Sequence, residues 1–385
     1  MHFCGMRIAF ASTFPPYRGG IAQFNQKLTE ALREEGHEVH CSNWKRQYPR
    51  LIFPGQSQLT QGSHLDSGPI ALLDSIDPRT WKHTAEHLLA WGPDALLVPF
   101  WHAALTPALG SLIARMKRKR PGLLVIGLMH NATSHDAKIW DVWLTKRFLK
   151  NVDITWTLSE QVADRVHDLM PSRSSKVFFH PLYDQYPELQ TMQDARTALH
   201  LPSQDEADVV LFFGLIRAYK GLKTLIGAKE LLGSSDKTVH LLIAGESYDD
   251  WKPYQALIDA GGSPEQVHVH TRFILDAELP TFFGACNAVC LPYLTASQSG
   301  VSAIALHYGI PVIASDVGGL SEYLKTPGTG IVCPPNDPEA LAKGIQNVLE
   351  SLPVSSEAFD AARTQYSWNN LAKAMTQELN AKAGS

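Results

Sequence analysis

The sequence has little of what a membrane span, a disulfide framework or a nucleic-acid surface requires. No apolar run in its 385 residues approaches the roughly 20 needed to cross a bilayer. The five cysteines are an odd number at scattered positions, and Cys286 and Cys290 lie in an apolar segment. This usage predicts reduced core thiols in a cytosolic compartment. The net charge of −4 argues against a dedicated nucleic-acid binder.

The composition, 44% hydrophobic and 19% charged, is suited to two ordinary globular domains. The residues around Arg7 lack the organisation of a secretory signal, so we expect a cytoplasmic protein. The charge is distributed unevenly, because residues 101–150 contain nine basic side chains and two acidic ones. This excess predicts a basic face for an anionic lipid or an anionic substrate.

One stretch, residues 288–322, organises the rest of the chain. Ala288–Pro292 predicts a buried strand, Val301–Tyr308 has helical character, and Ile310–Ser315 predicts the next strand. Elements in this order form a unit of a parallel sheet. The polar loop Thr295–Gly300 therefore lies at the amino end of a helix, where unpaired amides and the helix dipole favour an anion.

Three consecutive amides in this stretch form a candidate anion site: those of Ser299, Gly300 and Val301. A glycine at position 300 lets a ligand approach the backbone closely. We hypothesise that these amides hold the diphosphate of a sugar nucleotide. The alternative is a well-capped helix without a ligand.

The amino-terminal residues predict a βαβ unit. Arg7–Ser12 and Glu38–Cys41 are strand-like, and Ile21–Glu35 is apolar at helical spacing. The connecting loop lacks the G-x-G-x-x-G spacing of a dinucleotide fold. Gly19 and Gly20, at the head of the helix, either let a substrate touch the backbone or form a simple turn.

A polar pair follows the buried strand predicted at Leu123–Met129. This pair, His130 and Asn131, would stand at the carboxyl edge of the sheet, where open α/β sheets bind ligands. His130 is therefore a candidate site residue. A purely structural histidine is the alternative.

Two segments combine aromatic and basic residues. Asp136–Lys150 predicts a helix with an apolar and a basic side, as in helices at a membrane surface, although an amphipathic helix packed on its own sheet is the alternative. Trp44–Gly55 predicts a loop that either touches lipid or an extended acceptor, or packs on its own domain. The apolar side of the predicted helix consists of Ile139, Trp140, Trp143 and Leu144.

A polar, irregular region at 182–207 precedes a second series of strands and helices, and we place the domain boundary there. Val209–Phe213 predicts the first strand of this series, and Arg217 and Lys220 lie on the turn after it. Two cations near a helix amino terminus can hold a diphosphate and stabilise a leaving nucleotide. A solvated pair flanking a helix is the alternative.

Six short motifs occur along the chain: FPPYRGGIAQF near the start, HN at 130–131, FGLIRAYKG at 213–221, IAGE at 243–246, TASQSGV at 295–301 and GIPVIASDVGGLSE at 309–322. Together they resemble the retaining GT-B glycosyltransferases of glycosyltransferase family 4, over nearly the whole length. The resemblance implies an α/β fold with two Rossmann-like domains facing each other across a cleft. It implies an acceptor-side domain at 1–184, a nucleotide-sugar-binding domain at 185–355, and a helical segment at 356–385 that crosses back to the first domain.

The resemblance also implies roles for individual residues. Gly19 and Gly20 match the glycine loop that faces the donor phosphates, and His130 matches a histidine near the donor sugar and acceptor. Arg217 and Lys220 match the cationic pair that neutralises the leaving diphosphate. No metal is implied, since the cations and the helix dipole take its place. The remaining donor-binding matches are Phe273, at the nucleobase, and Ser299, Gly300 and Val301, beneath the diphosphate.

One departure from the family pattern concerns two glutamates that many members carry seven residues apart around the phosphate loop. Their positions fall near Ser297–Gln298 and Ile304–Ala305, and neither holds a glutamate. The contacts to sugar and ribose hydroxyls must therefore come from other side chains. Two of the candidates named below, Glu246 and Glu322, have an alternative role, because each could simply cap the segment that follows it. The candidates are Ser297, Gln298, Glu246 and Glu322.

The resemblance implies transfer of a hexose-type sugar from a UDP- or GDP-linked donor, with retention, to a glycan or lipid-linked acceptor. We expect a cytoplasmic enzyme, peripheral at the inner face of a membrane, without nucleic-acid partners. A sugar-nucleotide epimerase on the same fold is one alternative, and the missing glutamates argue against it. A non-catalytic nucleotide-sugar-binding scaffold of a glycan assembly complex is another. The missing glutamates favour it, whereas the presence of both Arg217 and Lys220 argues against it.

Overall fold

A computed structural model describes most of the chain, and it divides into two compact units, Met1–His180 with Trp368–Ser385, and Pro181–Ser367. Each unit has its own parallel sheet and its own hydrophobic core. The described residues are 5–48, 58–60, 64–132, 139–184, 186–232, 237–296, 299–350 and 355–383.

The described strands of the first unit form a seven-stranded parallel sheet in the order β3-β2-β1-β4-β5-β6-β7. Their apolar runs are buried on both faces, as expected for a parallel sheet covered by helices. The strands are β1 (Arg7–Ala11), β2 (Glu38–Arg46), β3 (Ala71–Asp74), β4 (Ala95–Phe100), β5 (Leu124–Met129), β6 (Ile154–Thr157) and β7 (Ser175–Val177).

Helices alternate with these strands, and their ends are set by local sequence. Asp77 caps one helix by accepting a hydrogen bond from the amide of Arg79, and Pro78 opens it. Gly92 ends the same helix in the left-handed region, at φ 75°. The helices are α1 (Gly20–Glu34), α2 (Pro78–Trp91), α3 (Thr106–Lys119), α4 (Ile139–Asn151) and α5 (Glu160–Leu169).

The described strands of the second unit form a six-stranded parallel sheet in the order β10-β9-β8-β11-β12-β13. They are β8 (Ala207–Phe213), β9 (Thr238–Ala244), β10 (Val267–His270), β11 (Ala288–Leu291), β12 (Val312–Ser315) and β13 (Gly330–Cys333). The helices are α6 (Met192–Ala198), α7 (Leu222–Glu230), α8 (Lys252–Asp259), α9 (Leu279–Gly284), α10 (Gly300–Tyr308), α11 (Pro338–Glu350) and α12 (Ser356–Gln365). A final helix, α13 (Trp368–Ala383), belongs to the first unit. The expectation of two Rossmann-like α/β units is confirmed.

Each sheet has a point where the strand order reverses. In the first unit this point lies between β1 and β4, and in the second unit it lies between β8 and β11. Ligands of open α/β sheets bind beyond the carboxyl ends of the strands at such a point. In the second unit, the loops that meet there are the ones containing Arg217, Lys220 and Ser299.

The structure decides between the two interpretations of the aromatic and basic segment at Trp44–Gly55: Trp44 packs within its own unit, although on a strand and not on a loop. Strand β2 continues to Arg46, and the Trp44 side chain is 0% exposed. Arg46 pairs with Asp74 at 2.8 Å, so it stabilises its own unit. Trp44 therefore touches neither lipid nor acceptor, while residues 49–57 lie outside the described residues.

Most of the apolar side proposed for the helix at Asp136–Lys150 is exposed, although Leu144 is partly buried and packs against the core of its unit. Ile139 is 90% exposed, and Trp140 and Trp143 are each 59% exposed. The buried side of α4 consists instead of Thr145, Phe148 and Leu149. Residues 133–138, where this helix was expected to begin, lie outside the described residues.

Candidate functional site

The loops after β8 and β11 are packed against each other at the switch point of the second sheet. A Cβ atom at Gly221 would lie 1.8 Å from the carbonyl oxygen of Pro292, so only glycine permits this approach. Gly221 also has φ 70°, which favours glycine. The amide of Leu294 donates to the carbonyl of Tyr219 at 2.7 Å and joins the same two loops.

Lys220 is the charged residue enclosed between these loops, and it is only 8% exposed. Its Nζ atom would lie 3.0 Å from a Cβ atom at Gly214, whose φ of 101° again requires glycine. The ammonium lies 5.2 Å from the ring centroid of Tyr293. Within the described residues, no carboxylate forms an ion pair with it.

The amino end of α10 lies beside the same glycine. A Cβ atom at Gly214 would be 3.6 Å from Cγ2 of Val301, so Gly214 separates Lys220 from the first turn of this helix. Ser299 caps the helix, because its Oγ accepts a hydrogen bond from the Val301 amide at 3.2 Å. The hydroxyl of Tyr293 lies 3.3 Å from the same Oγ. The structure thus brings Lys220, Ser299 and Val301 together.

Packing against a neighbouring side chain explains why position 300 is a glycine, and the sequence did not reveal this contact. A Cβ atom there would lie 3.2 Å from Cε2 of Tyr183, a side chain that is 5% exposed. This contact is tighter than ordinary packing, so the glycine accommodates a buried aromatic ring. Ser297 and Gln298, which precede this turn, lie outside the described residues.

Arg217 lies on the same loop as Lys220 but contacts a different neighbour. Its backbone is extended and precedes the single turn at Ala218–Lys220. Its guanidinium carbon lies 5.0 Å from the ring centroid of Tyr248, a residue that follows β9. Among the described residues it forms no ion pair with a carboxylate.

The other residues predicted for the donor site lie on separate loops of the second unit. Glu246 is half-buried after β9, and its carbonyl accepts a hydrogen bond from the Ile216 amide at 2.9 Å. Glu322 lies in the 3-10 helix Gly318–Lys325, and its carbonyl accepts from the Tyr366 hydroxyl at 3.2 Å.

Phe273 is 45% exposed, and its carbonyl accepts a hydrogen bond from Nη1 of Arg272 at 3.2 Å. Arg272 in turn holds the carboxylate of Glu278 with hydrogen bonds of 2.9 and 2.5 Å. The guanidinium lowers the pKa of Glu278, so this pair is charged and fixes the loop that carries Phe273.

Two glycines open α1 in the first unit. Gly19 precedes the helix with φ 109°, and Gly20 is its first residue. Both are exposed, and no atom of the described residues lies within 4 Å of a Cβ atom at Gly19. The backbone at this helix amino end is therefore open to a ligand, and the positive φ alone requires a glycine at position 19.

His130 follows β5 and packs against α1. Its ring meets the ring of Phe24 edge-on at 4.9 Å, and Phe24 also contacts His180 and Trp368 at 5.1 Å each. Within the described residues, the buried Nε2 atom of His130 has no hydrogen-bond partner. Burial, assisted by the nearby His180, lowers the pKa of His130 to about 3, so its imidazole is neutral at physiological pH.

Tyr293 and Tyr248 are site neighbours that sequence reasoning missed. Both follow the carboxyl end of a strand, β11 and β9, and that position was the available signal. Their contacts with Lys220 and Arg217 arise between loops that are distant in sequence. Spacing alone therefore could not reveal them.

The described residues contain neither a candidate metal cluster nor a helix suited to span a membrane. Across these residues, no cluster of three or more histidine, cysteine, aspartate or glutamate side chains is arranged to bind a metal ion. No helix in the described part of the chain is both long and apolar enough to cross a bilayer.

Two family models match the two halves of the chain. The model described as Glycosyltransferase Family 4 matches residues 18–181, and the model described as Glycosyl transferases group 1 matches residues 197–365. The chain belongs to the group 1 glycosyltransferases and has the GT-B fold. It is therefore a glycosyltransferase, as expected from the motifs.

Similar proteins agree with this class. The glycogen synthase of Mycobacterium tuberculosis is 24% identical over 98% of this chain and 96% of its own length. The phosphatidyl-myo-inositol mannosyltransferase of Mycolicibacterium smegmatis is 22% identical over 86% of this chain and 81% of its own. The structure of Anabaena HepE in complex with UDP and glucose has a TM-score of 0.74 at 15% identity, covering 98% of this chain and 100% of that one, so the fold is shared.

Proposed function

We propose that this glycosyltransferase moves a hexose-type sugar from a UDP- or GDP-linked donor to a glycan or lipid-linked acceptor in polysaccharide or glycoconjugate biosynthesis. In this proposal, residues 1–184 face the acceptor and residues 185–355 bind the donor. The transfer retains the configuration of the anomeric carbon.

The observation that carries the proposal is the environment of Lys220. A lysine that is only 8% exposed, and that has no carboxylate partner among the described residues, has a charge that a bound anion would compensate. The amino end of α10, which attracts anions, begins at the other side of Gly214. A diphosphate matches both features.

We assign the leaving-group role to Arg217 and Lys220, together with the amides of Ser299, Gly300 and Val301, the last of which exchanges its hydrogen bond to Ser299 Oγ for one to the diphosphate. These groups compensate the charge that develops on the departing nucleoside diphosphate. In this scheme they take the role of charge stabilisation that a divalent ion has in other transferases. The acceptor attacks from the face that the diphosphate leaves, and a leaving phosphate oxygen takes the acceptor proton.

The remaining predicted residues complete the donor site in this proposal. The neutral imidazole of His130 hydrogen-bonds the reacting sugar or acceptor through Nε2, which has no partner within the described residues. Gly19 and Gly20 face the donor phosphates, and the backbone at Phe273 holds the nucleobase. The sugar and ribose hydroxyls are bound by members of one set: Ser297, Gln298, Glu246 and Glu322.

The exposed apolar residues of α4 support an acceptor at a membrane surface. Trp140 and Trp143 are accompanied by Lys146, Arg147 and Lys150, all exposed on the same helix. Apolar side chains flanked by basic ones are typical of a helix that binds an anionic interface. We therefore propose a cytoplasmic protein that binds peripherally to the inner face of the membrane.

A panel of nucleotide sugars tests the proposal. Thermal unfolding is measured with UDP-glucose, UDP-galactose, UDP-N-acetylglucosamine and GDP-mannose, with UMP and GMP as controls that lack the diphosphate. We expect one donor to raise the melting temperature more than its monophosphate control, since ligands that bind only the folded state stabilise it. NMR of the product then reports the anomeric configuration, and an inverted product would contradict retention. No shift with any donor would contradict donor binding.

A further inference from the structure

The loop that carries Arg217 is joined to the loop after β9 by backbone hydrogen bonds. The Ile216 amide donates to the carbonyl of Glu246 at 2.9 Å, and the Tyr248 amide donates to the carbonyl of Ile216 at 3.1 Å. Ile216 and Ser247 form a parallel bridge that extends the pairing of β8 with β9. The backbone on either side of Arg217 is thus held against the segment 246–248.

A side chain fixes the residue that follows Arg217. Oδ2 of Asp249 accepts a hydrogen bond from the Ala218 amide at 2.5 Å. Ser247 Oγ donates to the carbonyl of Asp249 at 2.9 Å and holds the turn on which the carboxylate lies. Charge-assisted bonds of this kind are stronger than neutral ones. The backbone of Arg217 is therefore anchored at both neighbours.

The guanidinium of Arg217 contacts the ring of Tyr248, with the guanidinium carbon 5.0 Å from the ring centroid. The Tyr248 ring is 41% exposed, so its packing contributes little to the core of the unit. A guanidinium that contacts an aromatic face keeps the N–H donors at its edge available for a phosphate. Contact with the ring therefore orients the group without using its hydrogen bonds.

We propose that Tyr248 is a positioning residue for Arg217. Its ring holds the guanidinium in one orientation before the donor binds, which reduces the side-chain entropy lost on binding the diphosphate. Asp249 fixes the backbone of the same loop for the same purpose. This inference rests on the proposed function, because Arg217 is the group that meets the diphosphate there.

The test compares Tyr248→Leu with Tyr248→Phe, which keeps the ring. Dissociation constants for UDP and GDP are measured by calorimetry in the wild-type protein, in both variants, and in Arg217→Ala with and without Tyr248→Leu. Without the ring, the Arg217 side chain must be ordered when the diphosphate binds, which corresponds to binding that is about three- to tenfold weaker. We expect this weaker binding for Tyr248→Leu and wild-type binding for Tyr248→Phe. In the Arg217→Ala background, Tyr248→Leu should have no further effect.

The outcomes separate this inference from the proposed function. Unchanged binding by Tyr248→Leu, or tighter binding, would overturn the positioning role, as would an equal loss in Tyr248→Phe. A loss that persists in the Arg217→Ala background would show that Tyr248 acts independently of Arg217, which also overturns it. If Arg217→Ala itself binds as well as the wild-type protein, or if neither nucleotide binds at all, the proposed function fails and the inference fails with it.

Discussion

The ammonium of Lys220 and the Oγ atom of Ser299 share one neighbour, Tyr293. The ring of Tyr293 lies 5.2 Å from the ammonium, and its hydroxyl lies 3.3 Å from Oγ. Tyr293 thus contacts both a largely buried lysine and the residue that caps the amino end of α10. Both groups attract anions. This arrangement suits a diphosphate.

The first prediction concerns the ammonium of Lys220. Replacing Lys220 with methionine removes an enclosed charge that has no described carboxylate partner, so we expect no decrease in melting temperature. Sugar transfer should fall about 100-fold or more, as when one electrostatic donor is removed from a transition state. The exposed Lys223, on the next helix, gives the matched control Lys223→Met, which should keep its activity. A large loss of stability in Lys220→Met would contradict this account.

The second prediction concerns the glycine beside the ammonium. Gly214→Ala forces an alanine into φ 101° and places a Cβ atom 3.0 Å from Nζ of Lys220. We expect the free energy of unfolding to decrease by about 1–3 kcal/mol and donor affinity to fall. Gly227, inside α7, is the control, because a Cβ atom there makes ordinary contacts of 3.6 Å with Pro338. Gly227→Ala should stabilise the protein by about 0.5–1 kcal/mol. If both substitutions change the free energy of unfolding in denaturant to a similar extent, the positive φ at Gly214 is wrong.

The third prediction is a loss of stability in acid. Nδ1 of His240 lies 2.9 Å from Nε2 of His268, and burial together with His268, Lys229 and Arg196 lowers the pKa of His240 from its ordinary 6.5 to about 4. Between these values the unfolded chain binds a proton that the folded protein does not, so stability is intact above pH 6.5 and decreases below it. At about pH 5.5 the effect of His240 is about 1 kcal/mol.

Urea unfolding of the wild-type protein and of His240→Gln at several pH values checks this coupling. Glutamine does not titrate, so the difference in stability between the two proteins should shrink as the pH falls from 7.5 toward 5. Parallel stability curves over this range would show that His240 is not the source of the acid sensitivity.

The fourth prediction tests the surface formed by α4. The double variant Trp140→Ser/Trp143→Ser should bind anionic vesicles more weakly than the wild-type protein in flotation assays, because exposed indole rings insert at the interface. Its melting temperature should not change, since both rings are 59% exposed. Wild-type binding should weaken as salt is added.

An exposed apolar residue of the second unit serves as control for that experiment. Leu231 is 51% exposed, and Leu231→Ser should leave vesicle binding unaltered. If the wild-type protein fails to float with anionic vesicles at low salt, the membrane proposal is wrong. The sugar-transfer proposal would be unaffected.

The strands and helices around the donor site were predictable from the sequence. Val267–His270 and the core of Ala288–Pro292 appear as strands with nearly the expected bounds, and the helix expected at Val301–Tyr308 begins one residue earlier. Strands of a parallel sheet are buried on both faces, so they appear in the sequence as short continuous apolar runs that are easily identified. The two ends of α10 also have local signals, since Ser299 caps its amino end and Gly309 ends it in the left-handed region.

Features that depend on tertiary packing were not predictable. The sequence left open whether Trp44 lies at a surface or packs on its own domain, and only the structure shows that it lies on β2 and points into the core. In α4, the periodicity predicted an apolar side with Ile139, Trp140 and Trp143, but packing buries Phe148 and Leu149 instead. The contact of Arg217 with Tyr248 joins two loops far apart in sequence, which no local pattern encodes.

The most direct test of the central claim is calorimetric titration of UDP and GDP into the wild-type protein, Lys220→Met and Lys223→Met. The account predicts that the wild-type protein and Lys223→Met bind one of the two nucleotides with equal affinity, and that Lys220→Met binds it about tenfold more weakly or not at all. Equal affinity in Lys220→Met, or no binding of either nucleotide to the wild-type protein, would contradict the claim that this buried ammonium and the amino end of α10 hold a diphosphate.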